Sequence, residues 1–311
     1  MNSVSWHPFD FDLKFHFGEF TAACVPLRVQ RRVYTLEEIR NCTCIPELPA
    51  LASDQAGYLL ANIPTPGKTL DFPIATSYLR YCLKSYMRCY IDMTMNFDQY
   101  KAKFSGKSRS GINRKIKRFT EEAEGLDFRC YRSPDEIKRF FELARPVSAS
   151  SYQERLLDCG LPKSPDYLAA AVAAAEHDGI RAFLLFADGK PVSYLYCPVE
   201  DQVLHYAYLG YLPDYSKLSP GTVLQWLAME QLFAEGKFTA FDFTEGDSDH
   251  KRFFSTHQIP CGLWLLLKPN IKNRMLLTLH NGVDRSTTLF TRILDKLHLK
   301  QKIKRWIRRT A

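Results

Sequence analysis

The chain has 311 residues, 46% hydrophobic and 24% charged, a balance that excludes a disordered polymer and leaves one large domain or two open. Its net charge of +8 is concentrated: residues 101–118 carry eight Lys and Arg without an acid, residues 284–311 carry nine against Asp284 and Asp295, and the other 265 residues are net acidic. No run approaches the roughly 18 apolar residues of a membrane span, the acidic start does not read as a secretory signal, and nine irregularly spaced Cys suit reduced thiols in the cytoplasm.

Residues 1–99 read as an α/β region of short apolar strands punctuated by Pro and Gly, such as 58–63 before Pro64-Thr65-Pro66-Gly67, and 88–95 alternates like a strand. Within it Cys42 and Cys44 form a Cys-x-Cys pair without a second pair at ligand spacing, so no metal is expected. A basic helix follows, with Ile112, Ile116 and Phe119 at helical spacing and the Lys and Arg on its solvated side.

From residue 126 the predicted order is a strand at 126–131, a helix opened by Ser133-Pro134-Asp135-Glu136, a polar loop containing Tyr152, and a helix from Ser164-Pro165 to about His177. Strands at 180–187 and 191–198 join through Asp188-Gly189, and a third spans 203–210. A helix at 220–234 then leads to a strand at 238–243, a short helix near 249–255 and a last strand at 262–267. This is a mixed α/β layer, and the helical crossover makes the strand at 238 parallel to the strand at 203.

The carboxyl ends of those two strands form a natural ligand crevice. Ser219 reads as an N-cap, Pro220 as a first helical residue, and Gly221 lets a ligand approach the backbone; free amides there suit a phosphate, to which Lys217 adds charge. Downstream, Asp242 interrupts an apolar strand between Phe241 and Phe243, and Glu245, His250 and Lys251 follow closely, giving acid/base groups and an anion clamp. The competing reading is a capped helix followed by a solvated charge run.

Residues 100–268 resemble the GNAT superfamily of acyltransferases, and more closely its CelD/BcsL-like group, which is related to the FemAB peptidyltransferases. The resemblance rests on Ser108-Arg109-Ser110-Gly111-Ile112-Asn113-Arg114-Lys115, Asp188-Gly189-Lys190-Pro191-Val192, Tyr215 with Leu218-Ser219-Pro220-Gly221-Thr222, and Asp242-Phe243 to Glu245-Gly246 with His250-Lys251. It implies a GNAT-like mixed sheet flanked by helices, with residues 1–99 as a degenerate GNAT half or a cap, and a basic helical tail at 269–311. It further implies an acetyl-CoA or longer acyl-CoA donor held by Lys217, Leu218, Ser219, Gly221 and Thr222, and direct attack by an amine. The chain departs from the usual phosphate loop, with Lys217, Pro220 and Thr222 at its signature places, and has His250 where a Tyr is common.

Direct transfer needs a base, donors for the thioester oxygen and an acid for the leaving thiolate. Glu245 or Asp242 is the preferred base, with His205 second and His250 a further candidate. Tyr152, Tyr206, Tyr208 and Lys251 are candidate substrate contacts, although alternation places His205 on one strand face and both Tyr206 and Tyr208 on the other. The acceptor expected is an amine-bearing small molecule, an amino sugar, amino acid or envelope-polysaccharide precursor.

In the tail, Phe290, Ile293, Leu294 and Leu297 form one helical stripe, and Leu299, Ile303, Trp306 and Ile307 a second, out of phase with it. The segment 299–309 fits a helix lying on an anionic membrane surface, at the inner face of the membrane if the protein is cytoplasmic; it also fits docking on its own domain, and nucleic acid is a third reading. The alternatives to an acyl-CoA enzyme are a FemAB-like transferase using aminoacyl-tRNA and a non-catalytic GNAT-like adaptor.

Overall fold

The computed structural model describes residues 5–17, 20–41, 47–65, 77–151, 160–246 and 248–296. Cys42, Cys44, Tyr152 and the segment 299–309 lie outside the described residues. In chain order the elements are β1 (His7–Phe17), β2 (Phe20–Val33), α1 (Leu36–Arg40), β3 (Gly57–Pro64), β4 (Leu79–Asp92), α2 (Phe97–Ala102), α3 (Gly106–Glu122), β5 (Asp127–Tyr131), α4 (Pro134–Ser150), α5 (Pro165–Glu176), β6 (Ile180–Ala187), β7 (Lys190–Glu200), β8 (Val203–His205), β9 (Tyr208–Tyr211), a 3-10 helix (Pro213–Leu218), α6 (Pro220–Glu235), β10 (Ala240–Asp242), α7 (Asp249–Phe254), β11 (His257–Leu267) and α8 (Ile271–Lys296).

The chain divides into two compact units, one of Met1–Tyr86 with Ile259–Ala311, the other of Met87–Gln258. In the first, the strand order is β1-β2-β3-β11-β4, with β2 parallel to β3 and β11 antiparallel to β3. All eight residues of β3 are buried, as befits an inner strand. Alternation along β11 sends Trp264 and Leu266 into one core, with Tyr34 and Tyr58, and Leu265 and Leu267 into another, with Leu13 and Val29.

In the second unit the order is β4-β10-β8-β7-β6-β5, and β9 pairs with β7. The crossover through α6 leaves β10 parallel to β8, Asp242 opposite His205. One face, with Cys89, Leu195, Leu204 and Phe241, packs against Ile112 and Phe119 of α3 and Val223 and Leu224 of α6. The opposite face, with Leu184, Tyr194 and Tyr196, packs against Phe140 and Phe141 of α4 and Ala171 of α5. Helix α4 starts at the predicted signal: Glu136 turns back to accept from the Ser133 N–H at 2.9 Å and the Arg132 N–H at 3.0 Å, and these backbone bonds lower its pKa.

One predicted strand is broken. Leu204 pairs with Val199 and Tyr208 with Tyr196, so the chain between β8 and β9 holds one residue more than the facing stretch of β7. This bulge corrects the expected alternation. Tyr206 packs with Phe241 and Phe243, while Tyr208 packs with Tyr167 and Tyr196 on the other side of the sheet.

Candidate functional site

The bulge also opens the sheet. The Tyr206 N–H donates to the Asp242 carbonyl at 2.8 Å, and the Ala207 N–H turns to Tyr196 on β7 at 3.2 Å. Beyond this point β9 follows β7 and β10 ends. The turn that ends β10 is held by Asp242, whose carboxylate accepts the Thr244 N–H at 2.9 Å; Thr244 is left-handed at φ 59, and its hydroxyl donates to the Tyr206 carbonyl at 3.2 Å. The edge of β9 facing β10 therefore has no strand partner among the described residues. The Leu212 N–H bond to Val192 fixes the ladder phase, so alternation turns the Leu209 and Tyr211 N–H groups toward that edge.

A cavity of about 350 Å³ lies there, lined by Tyr206, Leu209, Tyr211, Ser216, Ser219, Gly221, Thr222, Ser248 and His250. Its end wall is the start of α6. Ser219 is the N-cap residue of α6, as expected, but it is left-handed, at φ 53 and ψ 47, and its side chain makes no cap hydrogen bond. A Cβ on Gly221 would stand 3.3 Å from Leu209 Cδ2 and 3.6 Å from Tyr211 Cδ1, so glycine keeps the cavity wall low at the helix start. Of the predicted donor-site residues, Ser219, Gly221 and Thr222 line this cavity, Leu218 is buried in the core and Lys217 is exposed beyond it.

His250, on α7, brings an imidazole to the opposite wall. Burial, with the charges of Lys115 and Lys251, pushes its pKa down to about 4, and its Nε2 is buried without a hydrogen-bond partner. Tyr206 is held protonated by burial. The ammonium of Lys251 donates to the Glu245 carbonyl at 2.5 Å; burial and then Arg88 lower its pKa. Glu245 itself is exposed.

The other face of the same strands carries a second constellation. Period-two alternation puts Arg88, His205 and Asp242 opposite the Cys89, Leu204 and Phe241 side, and β-pairing sets His205 directly beside Asp242. Asp242 is fully buried. Its Oδ2 is 2.5 Å from the Arg88 guanidinium and 3.5 Å from His205 Nδ1. Burial alone would raise its pKa, but Arg88 and His205 outweigh that and hold it below the usual carboxylate range. His205 is 27% exposed, with Nε2 buried and unpartnered on the far side of the ring. Asp242 thus stays ionised and engaged through both oxygens, an orienting group for His205.

The structure brings His250, Tyr206, Ser219, Gly221 and Thr222 around one cavity and His205 with Asp242 at the same strand ends on the opposite face. It does not bring Glu245, Lys217 or Tyr208 to them. Arg88 was not anticipated from the sequence; its place in an otherwise alternating strand, as a charge at the apolar end, is the one signal available. Among the described residues no group of three or more His, Cys, Asp or Glu could hold a metal ion.

Residues 106–252 match the acetyltransferase (GNAT) domain family. Among solved structures, FemX is 12% identical, with 88% of this chain and 90% of that one covered and a TM-score of 0.49. L-PGS from Bacillus licheniformis is 16% identical over 74% of each chain, at 0.46. A GCN5-related N-acetyltransferase from Kribbella flavida is 17% identical over 79% and 82%, at 0.37. No curated protein matches.

Proposed function

We propose, on the premise that residues 106–252 match the acetyltransferase (GNAT) domain family, that the chain is an N-acyltransferase taking its acyl group from acyl-coenzyme A. The observation that carries this is the unpaired edge of β9 leading to the start of α6. The edge offers the Leu209 and Tyr211 N–H groups to amides of the donor's arm, in place of the missing strand. The helix start offers the Gly221 amide, the unengaged Ser219 hydroxyl and the positive end of the helix dipole to its phosphates. The low wall at Gly221 and the unpartnered His250 Nε2 fit a bound polar ligand.

The acceptor amine approaches from the face that carries His205. His205, oriented by Asp242, takes a proton from the amine nitrogen, which attacks the thioester carbonyl carbon. The C–N bond forms, the C–S bond breaks, and the leaving sulfur collects a proton, a role we assign to the Tyr206 hydroxyl, which lines the cavity and is held protonated by burial. Lys251 anchors the Glu245 backbone and Arg88 keeps Asp242 ionised; both are positioning residues. The acceptor class is an amine-bearing small molecule or glycan precursor.

A second donor, aminoacyl-tRNA, is favoured by one observation. On α3, Lys117 and Arg118 pair with Glu121 and Glu122, whereas Lys107, Arg109, Arg114 and Lys115 form no ion pair among the described residues. Unpaired basic side chains of this kind suit a phosphate backbone.

Thermal melting with acetyl-CoA, longer acyl-CoAs and tRNA tests both readings. At a hundredfold excess over Kd a thioester should stabilise by about 2.7 kcal/mol. With the acceptor present, His205→Gln should lower kcat by about 10²–10⁴ and keep the thioester-induced shift. A shift with tRNA and none with any thioester would move the donor assignment to the second reading.

A further inference from the structure

Helix α8 has two unlike sides. Asn273 and Leu277 are buried, and between the two sides of its ring His280 ties the helix to the sheet, accepting the Tyr81 hydroxyl at 2.8 Å and donating to the Lys14 carbonyl at 3.2 Å. At about 100° per residue, Ile271, Met275 and Leu279 share an arc of about 80° on the other side. They are 78%, 68% and 62% exposed. Three large apolar side chains aligned in one ridge differ from the single exposed residues that any surface tolerates.

The charge around the ridge is of one sign. Lys272 and Arg274 flank it, both exposed, and residues 268–283 contain no Asp or Glu. Residues 297–311 add six Lys and Arg without an acid. Among the described residues no helix is long and apolar enough to cross a membrane.

We propose that the Ile271–Met275–Leu279 ridge is a docking surface for an anionic lipid bilayer, with α8 lying in the plane of the interface. The apolar ridge enters the acyl boundary while Lys272 and Arg274 meet lipid phosphates. Charge selects this occupant. A second copy of the ridge would set Lys272 and Arg274 against their own kind, and residues 297–311 folding back would do the same. An anionic surface accepts both the ridge and its flanks. The inference is independent of the donor assignment and concerns where the reaction takes place.

The test is sedimentation of the full chain with vesicles of phosphatidylcholine alone or mixed with phosphatidylglycerol. The unaltered chain should bind the mixed vesicles and bind phosphatidylcholine at least tenfold more weakly. The variant combining Ile271→Ser, Met275→Ser and Leu279→Ser should bind the mixed vesicles at least tenfold more weakly than the unaltered chain. Lys272→Gln with Arg274→Gln should weaken binding severalfold and lessen its salt dependence. Should the triple variant melt lower, Met275→Ser alone is compared, with about threefold weaker binding expected. Absence of binding by the unaltered chain, or unchanged binding by the apolar variants, overturns the proposal; the latter result leaves the basic end as the sole contact. A dimer that the triple variant converts to monomer also overturns it, since the ridge would then be a self-interface.

Discussion

His250 shows how one side chain reports its surroundings. In the folded chain burial and two neighbouring cations hold its pKa at about 4, against about 6.5 in an unfolded chain. Between those values the unfolded chain binds a proton that the folded chain does not, so stability rises with pH from about 4 to about 6.5 and the contribution is complete above that. The shift is on the order of 3 kcal/mol. Asp242 acts in a separate window: its depressed pKa gives stability that is present above about pH 4 and lost only as the pH falls further. Melting temperatures measured between pH 4 and 6.5 should therefore fall on acidification in the unaltered chain and much less in His250→Gln. Parallel curves would mean that the ring is not buried uncharged. The same neutral, unpartnered Nε2 is what supports His250 as a proposed ligand contact in the cavity rather than a cation.

At the scale of elements, the site is a consequence of one extra residue between β8 and β9 together with the turn that Asp242 imposes after β10. The first gives β9 to β7, the second removes β10, and α6 begins at the open end. Gly221 is the test of that arrangement. Gly221→Val places its branched side chain toward Leu209 and Tyr211, at the cavity wall, on a helix position where the backbone tolerates it. Thermal melting of the free variant should show a loss of roughly 1–3 kcal/mol, as overpacking of a buried position does, with the fold retained, while the shift induced by acyl-CoA disappears. A retained shift would move the donor away from this cavity. Much of this unit was legible: the Ser133-Pro134-Asp135-Glu136 start, the Asp188-Gly189 turn and the parallel placement of β10 all follow from local chemistry and connection rules. The bulge was not, because period-two alternation through Leu204, Tyr206 and Tyr208 continues in the sequence whether or not a residue loops out. Neither was the Arg88 partnership, since Asp242 and Arg88 meet across two strands 154 residues apart, and a buried acid in a sequence shows that a partner is required without naming it.

Over the whole molecule, the least legible feature is that the two ends of the chain form one unit. Reading in chain order suggests that residues after 258 extend the domain that precedes them, and the apolar run at 262–267 carries no mark of its partners. The structure gives β11 to the first unit as an inner strand between β3 and β4, pairing with residues about 200 positions earlier. Both of that unit's cores depend on it, through Cys261, Trp264 and Leu266 on one side and Leu265 and Leu267 on the other, all but Trp264 with at most 1% exposure. Deleting the strand would uncover two apolar sheet faces and leave β3 and β4 with open edges, a loss far larger than the roughly 5–15 kcal/mol that holds a domain together. A chain ending at Gln258 should therefore leave residues 1–86 unfolded while residues 87–258, from which nothing is removed, keep their fold. Limited proteolysis followed by mass spectrometry reads this directly: cleavage sites should crowd into 1–86, and a protected fragment should begin near Met87. Equal protection of both segments would show that the first unit is complete without β11, and the division of the chain into these two units would have to be redrawn.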